Sequence, residues 1–404
     1  MKILDIYEVK QIDYHNKDDL MEYQNSGVVE SKKIFPVYGN QIFKPLSKTK
    51  PLTTPLFAYS EVFWSYYIQK YFEENAPRYF LAKCSDIEEE LKNNYSIGTL
   101  VFKVTKEDEK LVNLLEYFKA NPDKNINIDN YINYCEKIYD YTDILKADIF
   151  QKRSDLRHSL ENQILLSILK RDENFHYENV SFIVKDNKII SLCPTLDSEF
   201  SLMFLYPDQR KVNSILKTCF DRSLNIPFNK GMNQIVIDEW KLSYKISLDN
   251  ILTILKQDPD IITNFCQKLD LFINDIEETD VLFYNDNFFE TLSSDAWKIG
   301  RAIYKNQNEE KASKLERSTI YQSLDERLFN MSLKNDCLDS AKNLKFILKV
   351  LLTLHDYQAL DNITIQNYLK IIDHEMTKEE FSSLTIDQKL KLDSKQKVKC
   401  FKNN

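Results

Sequence analysis

Five glycines in 404 residues limit how closely this chain's backbone can approach anything else. The glycine-rich GxGxxG turn and the P-loop cradle phosphate with main-chain amides, and they need glycine so that backbone can reach the ligand. Neither motif occurs here, so any nucleotide bound by this chain is held another way. The chain can still bury a substantial core, since 43% of its residues are hydrophobic and 12% aromatic, and it does not read as disordered. Its length allows two or three domains, or one two-lobed body with an extra helical region.

The net charge of −8 offers no broad basic surface, so nucleic acid is not expected as a direct partner. The seven cysteines are scattered and never in CxxC spacing, which fits reduced thiols rather than a disulfide framework or a zinc site. Charges interrupt the apolar run of MKILDIYEVKQID, so it does not read as a signal peptide. The most apolar helical stretch, LKFILKVLLTL (344–354), is too short to span a membrane and carries two lysines. A cytoplasmic protein, with no membrane partner, is therefore expected.

Strands and helices mix over the first part of the chain. KKIFPVY (32–38), the turn Gly39-Asn40 and QIFKPL (41–46) form a hairpin, because Gly-Asn is a recognised two-residue loop. After the Pro-Thr-rich link 48–55, AYSEVFWSYYIQKYFEE (58–74) reads as a helix with Ser60 in its N-cap region. YFLAKC (79–84) and TLVFKVT (99–105) read as strands, and 107–170 as mostly helical, ending in the apolar NQILLSILK (162–170). Further helices are expected near 258–275, 294–307 and 338–356, with a frayed lysine-rich tail after about 390.

The residues that carry chemistry cluster in two places. Around the turn KDNK (185–188), NFHYENVSFIV (174–184) and IISLCPTLDSEFSL read as the two strands of a hairpin. Paired across that turn, Asn179 falls opposite Pro194 with Asp197 three residues beyond, so an amide oxygen and a carboxylate emerge at one open end. Such oxygens suit Mg²⁺, which takes few protein ligands and completes its shell with water and phosphate. The second place is Lys44, on a strand in the apolar context IFKP, and Glu61, on the following helix. Trp64, Ile68 and Phe72 follow Glu61 at intervals of 3, 4 and 4 and share its face. A carboxylate on an aromatic face is costly unless paired, so either Lys44 is its partner, or Glu61 lies at the edge of the stripe and Lys44 snorkels to water. His15, His158, His355 and His374 have no partners at ligand spacing and read as surface or helix-face residues. No nucleophile elbow or Cys/His pair supports acyl transfer.

Four segments in order, KKIFPVYGNQIFKPL (32–46), AYSEVFWSYYIQKYF (58–72), NFHYENVSFI (174–183) and CPTLDSEFSL (193–202), resemble the HipA-like serine/threonine kinases. This bacterial group includes toxin–antitoxin kinases and related secreted kinases. The resemblance implies an α+β, two-lobed protein-kinase-like fold, with a mixed N-terminal lobe over 1–115 and a mainly helical lobe over 116–404. It implies ATP between the lobes, with Lys44 on its α- and β-phosphates and Glu61 fixing the lysine. Lys33, with Ser31 and Lys32, would occupy the place of the phosphate-covering loop. Asn179 and Asp197 would hold Mg²⁺, and His176 would structure the catalytic loop. The implied partners are an unidentified protein substrate and an antitoxin or other regulatory protein, and secretion as an effector becomes an alternative to the cytoplasm.

Two positions depart from the family pattern. The catalytic loop of the family reads Asp-x-His-x-x-Asn, and here its first position is Asn174. An amide can orient a hydroxyl but cannot take its proton at neutral pH, which leaves Asp172, two residues earlier, as the alternative base. The metal aspartate is usually followed by Asn-Gly, whereas Ser198 and Glu199 stand there in this chain. A pseudokinase scaffold and an AMP transferase on the same fold are thus alternatives to a phosphotransferase.

Overall fold

A computed structural model describes residues 2–12, 20–23, 33–38, 41–47, 55–84, 94–126, 140–170, 172, 175–196, 247–282 and 326–356. Strands and helices alternate up to residue 192, and helices follow. Six strands form one sheet: β1 (Val9–Ile12), β2 (Leu20–Tyr23), β3 (Lys33–Tyr38), β4 (Gln41–Ser47), β5 (Tyr79–Cys84) and β6 (Asn94–Phe102). Their spatial order is β1-β5-β6-β4-β3-β2, parallel for β1 and β5 and antiparallel elsewhere. The expected first hairpin is present, with Tyr38 paired to Gln41 and Val37 to Ile42 across the Gly39-Asn40 position.

Helix α1 (Pro55–Tyr67) crosses from β4 to β5 and packs on β5 and β6. It starts with Pro55, whose fixed φ and missing N–H suit the first helical position, so Ser60 lies inside the helix and is buried rather than capping it. The expected single apolar face is also too narrow. Tyr59, Val62, Phe63, Trp64 and Tyr67 are all fully buried, as befits a helix apolar on every side. It runs directly into a π-helical turn, Ile68–Phe72, closed by Glu73 N–H donating to Ile68 O.

A second sheet contains β7 (Glu109–Asn113), β8 (Ser181–Lys185) and β9 (Lys188–Leu192), all antiparallel. The described part of 107–170 is mostly helical as expected, and β7 is the exception within it. It is a short edge strand that begins Glu-Lys, and charged edges of this kind hide the alternation that marks a strand. Helix α2 (Leu114–Ala120) follows at once, capped by Asn113, whose side chain accepts from Glu116 N. Short helices α3 (Thr142–Leu145) and α4 (Asp148–Lys152) then lead to α5 (Ser154–Lys170). The β8–β9 turn places Asp186 and Asn187 both at positive φ, the geometry of a tight hairpin loop, and in residues that tolerate it without glycine.

Beyond the second sheet come α6 (247–257), α7 (Pro259–Glu278) and α8 (Glu326–Asp356). The helices expected near 258–275 and 338–356 are thus present and longer, while those at 294–307 and the tail after 390 lie outside the described residues. One continuous core joins α1, α5, α7, α8 and the second sheet, with Trp64 stacked on Phe272 and Phe72 against Phe265. On the far face of the first sheet, Phe43, Ala82 and Leu100 form a separate small cluster.

Asp275 on α7 fastens the two ends of this core together. Its carboxylate accepts from Lys70 Nζ at 2.7 Å, Lys2 Nζ at 2.9 Å and Tyr71 Oη at 3.0 Å. Burial works to raise its pKa, but those hydrogen bonds prevail and hold it below the usual carboxylate range. Such a group stabilises the fold above the unfolded-state pKa and loses that contribution as pH falls through the lower folded value. Asp275→Asn should therefore cost about 1–3 kcal/mol at neutral pH, and the deficit should shrink in acid, below about pH 4. Urea unfolding at several pH values measures both.

Candidate functional site

Side chains alternate across a strand, so Phe43 and Lys44 leave β4 on opposite faces. Phe43 enters the small far cluster, and Lys44 turns toward α1. There the Lys44 ammonium meets the Glu61 carboxylate in a hydrogen-bonded ion pair. The second Glu61 oxygen accepts from Thr99 Oγ1 at 2.5 Å, and Thr99 is the residue directly paired with Lys44 across β4 and β6. A strand lysine, its cross-strand threonine and a helix glutamate therefore form one knot. The Glu61 side chain is 2% exposed and that of Lys44 16%, so the pair is sealed on the helix side and open on the lysine side. The Tyr79 ring, 5.5 Å from Lys44 Nζ, adds a cation–π contact on the same sheet.

Gly98 makes this closeness possible. It pairs with Pro45, next to a break in the β4–β6 register, and a Cβ at position 98 would stand 2.0 Å from Lys44 O. Backbone cannot yield that much. Neither Gly98 nor Thr99 stood out in the sequence reading, although a glycine within a strand, in a chain with five, is a signal of close approach.

The second group of predicted residues lies where α5 ends. Asp172 follows two residues after Lys170, and their side chains, 2% and 1% exposed, form an ion pair of 2.7 Å. Asp172 thus turns its carboxylate to a buried lysine. The loop that follows is firmly held: Leu114 N donates to Tyr177 O and Val180 O, Tyr141 Oη to Phe175 O, and Tyr177 Oη to Asp140 O. Within it Asn179 N donates to His176 O at 2.8 Å, closing a tight turn, and His176 Nδ1 lies 3.9 Å from Glu178 Oε2. Asn174 and Asp197 lie outside the described residues. Lys33 opens β3, paired with Tyr23.

The hairpin register differs from the expected one. Phe182 pairs with Leu192 and Ile183 with Ser191, but Val184 pairs with Ile189, so Ile190 is an extra residue on β9. Cys193 N donates to Ser181 O at 2.7 Å in the shifted register. Carried on toward the open end, that register puts Thr195, not Pro194, across from Asn179. A bulge of this kind leaves no trace in the alternation of a short apolar strand.

Glu73 ties the two groups together. It stands just past the π turn on the helix that bears Glu61, and its carboxylate accepts from Thr195 N at 3.0 Å, two residues before Asp197. Burial raises the Glu73 pKa against the opposing pull of Thr195, Gln163 and Lys170. Gln163 Nε2 donates to Cys193 O at 2.8 Å and Lys268 Nζ to Phe72 O at 2.9 Å, fixing both sides of the contact. Glu73 was not singled out from sequence, where it was one acidic residue among many at a helix end. His158, read there as partnerless, lies beside Glu161 and Asp258.

Comparison with known proteins gives one distant likeness. A Helicobacter pylori proinflammatory kinase, CtkA, matches 78% of this chain and 95% of its own length, at 14% identity and a TM-score of 0.35. A likeness of that degree fixes neither family nor activity. No family model matches the chain, and no curated protein does. Among the described residues, no helix is long and apolar enough to cross a membrane.

Gly98→Ala should force β4 and β6 apart at Lys44 and lower stability by about 1–3 kcal/mol, the usual effect of overpacking. Chemical denaturation measures the loss. An alanine as stable as the wild type would show that Lys44 O need not lie against position 98.

Proposed function

We propose that this chain is a HipA-like, ATP- and Mg²⁺-dependent protein kinase that transfers a γ-phosphoryl group to a serine or threonine hydroxyl. The observation that carries the reading is the knot of Lys44, Glu61 and Thr99. A buried carboxylate bonded twice from one side holds a lysine whose remaining surface still reaches solvent. That is what a chain without glycine-rich phosphate loops requires: a fixed point charge, preorganised for phosphate oxygens.

In this scheme the lobes divide near residue 115, and ATP lies between them. Lys44 holds the α- and β-phosphates, Lys33 lies near the γ-phosphate, and Asn179 with Asp197 would hold Mg²⁺, which neutralises charge on the phosphates. His176 would shape the loop, whose turn is closed by Asn179 N donating to the His176 main-chain oxygen. Positioning and charge stabilisation supply most of the rate in such a reaction, so a weak base is tolerated. The acceptor is a protein, with an antitoxin or other regulatory partner as restraint, in the bacterial cytoplasm or after secretion as an effector.

A second reading has its own support. Asn174 stands at the base position, and the carboxylate of Asp172 is engaged by Lys170 away from solvent. Those two facts favour a nucleotide site that transfers AMP or only binds, and one experiment separates the readings. The purified chain is incubated with ATP and Mg²⁺ beside Asp197→Ala and Asp172→Ala, and intact masses are compared. A phosphate-sized increment absent from Asp197→Ala supports the kinase. An AMP-sized one redirects the reading to nucleotidyl transfer. Lys44→Ala should weaken ATP–Mg²⁺ binding by roughly 10- to 100-fold, the effect of losing a hydrogen bond to a charged group. An undiminished thermal-shift response to ATP–Mg²⁺ in that variant would sink both readings.

A further inference from the structure

We infer that His158, Glu161 and Asp258 form a binding site for a divalent first-row transition-metal ion, which joins α5 to the start of α7. The site is independent of the proposed nucleotide chemistry and uses none of its residues.

His158 and Glu161 are three apart on α5 and so lie on one side of it. Asp258 caps α7: its Oδ1 accepts from Asp260 N at 3.1 Å, which pins the carboxylate. The other oxygen, Oδ2, is left 2.9 Å from His158 Nε2. One ligand atom from each of the three residues lies within 4.8 Å of the others. An ion at roughly 2.0–2.2 Å from each ligand needs separations of about 3–3.5 Å, within reach of small side-chain rotations.

Glu161 shows that the cluster is more than adjacent acids. Its side chain is 0% exposed, yet neither carboxylate oxygen has a hydrogen-bond partner. Arg157, one turn earlier on α5, holds its Nε 3.6 Å from Oε1, beyond hydrogen-bonding range, and that Nε itself makes no hydrogen bond. His158 Nε2 also makes no hydrogen bond, in spite of the nearby Asp258 oxygen. The buried Glu161 carboxylate thus lies beside a half-exposed imidazole and an Asp258 oxygen with its own hydrogen bonds unmade, which native interiors rarely permit. A cation between them would satisfy all three.

The donor set selects the ion. Two carboxylates match the charge of a divalent cation, and an imidazole nitrogen favours zinc, manganese or their neighbours over Mg²⁺ and Ca²⁺, which take oxygen alone. His158 is 41% exposed, leaving an entry path and room for water as a further ligand. Arg157 would then steady the Glu161 carboxylate from outside, as groups behind metal ligands commonly do.

The full chain, stripped with EDTA, should bind one Zn²⁺ by calorimetry and show a raised Tm. Co²⁺ should give visible d–d bands without a thiolate charge-transfer band, which distinguishes this site from the cysteines. Glu161→Gln and Asp258→Asn should each weaken Zn²⁺ on the order of tenfold or more. Asparagine still caps a helix, so Asp258→Asn tests the ligand without removing the cap. Absence of binding at micromolar Zn²⁺, a thiolate band, or affinity unchanged in both variants would overturn the assignment.

Discussion

Glu61 cannot be buried alone. A carboxylate on a helix surrounded by tyrosine, phenylalanine and tryptophan needs a cation within reach, or the helix cannot pack as it does. Lys44 supplies it, and the requirement propagates. Lys44 must turn toward α1, so Phe43 must turn away; Thr99 must stand opposite Lys44, so the register of β4 and β6 is set; and Gly98 must lack a side chain, so those strands can approach. Sheet, helix and chemistry meet at one ion pair. The same pair leaves part of one lysine in contact with water, which a purely structural bridge would not need.

The helix that bears Glu61 also reaches the other half of the candidate site. Fifteen kilocalories would be a generous total for such a domain's stability, so each polar contact between halves matters. Glu73, Gln163 and Lys268 supply several of them around the segment that leaves β9. That segment leads to Asp197, and the loop at 175–180 leads to β8, so the two arms of one hairpin are fixed from opposite sides.

Much of this is written locally in the sequence. The β3–β4 hairpin, the strand YFLAKC and the apolar runs of α5 and α7 carry their own periodicity, and the structure forms them with shifts of a few residues. From the residues alone the Lys44–Glu61 pairing stands level with a snorkelling lysine, and the resemblance of the downstream hairpin tips the reading toward the pair. What stayed hidden depends on neighbours far along the chain. β7 is a strand because β8 is beside it, and the bulge at Ile190 exists only as a mismatch between two strands. Thr99 acquires meaning from Lys44, 55 positions away in sequence and directly opposite in the sheet. His158 looked solitary because Asp258 reaches it from another helix. The roles of Asn174 and Asp197 rest on resemblance alone.

The π turn at Ile68–Phe72 ends the helix that begins at Pro55. It is wider than an α turn by one residue, and Glu73 N closes it on Ile68 O while the Glu73 backbone is already extended. Glu61 is therefore aimed at the sheet by helix geometry, and Glu73 at Thr195 by a chain that has left the helix. The wide last turn works as an exit ramp, releasing the chain where a second carboxylate meets the segment beyond β9.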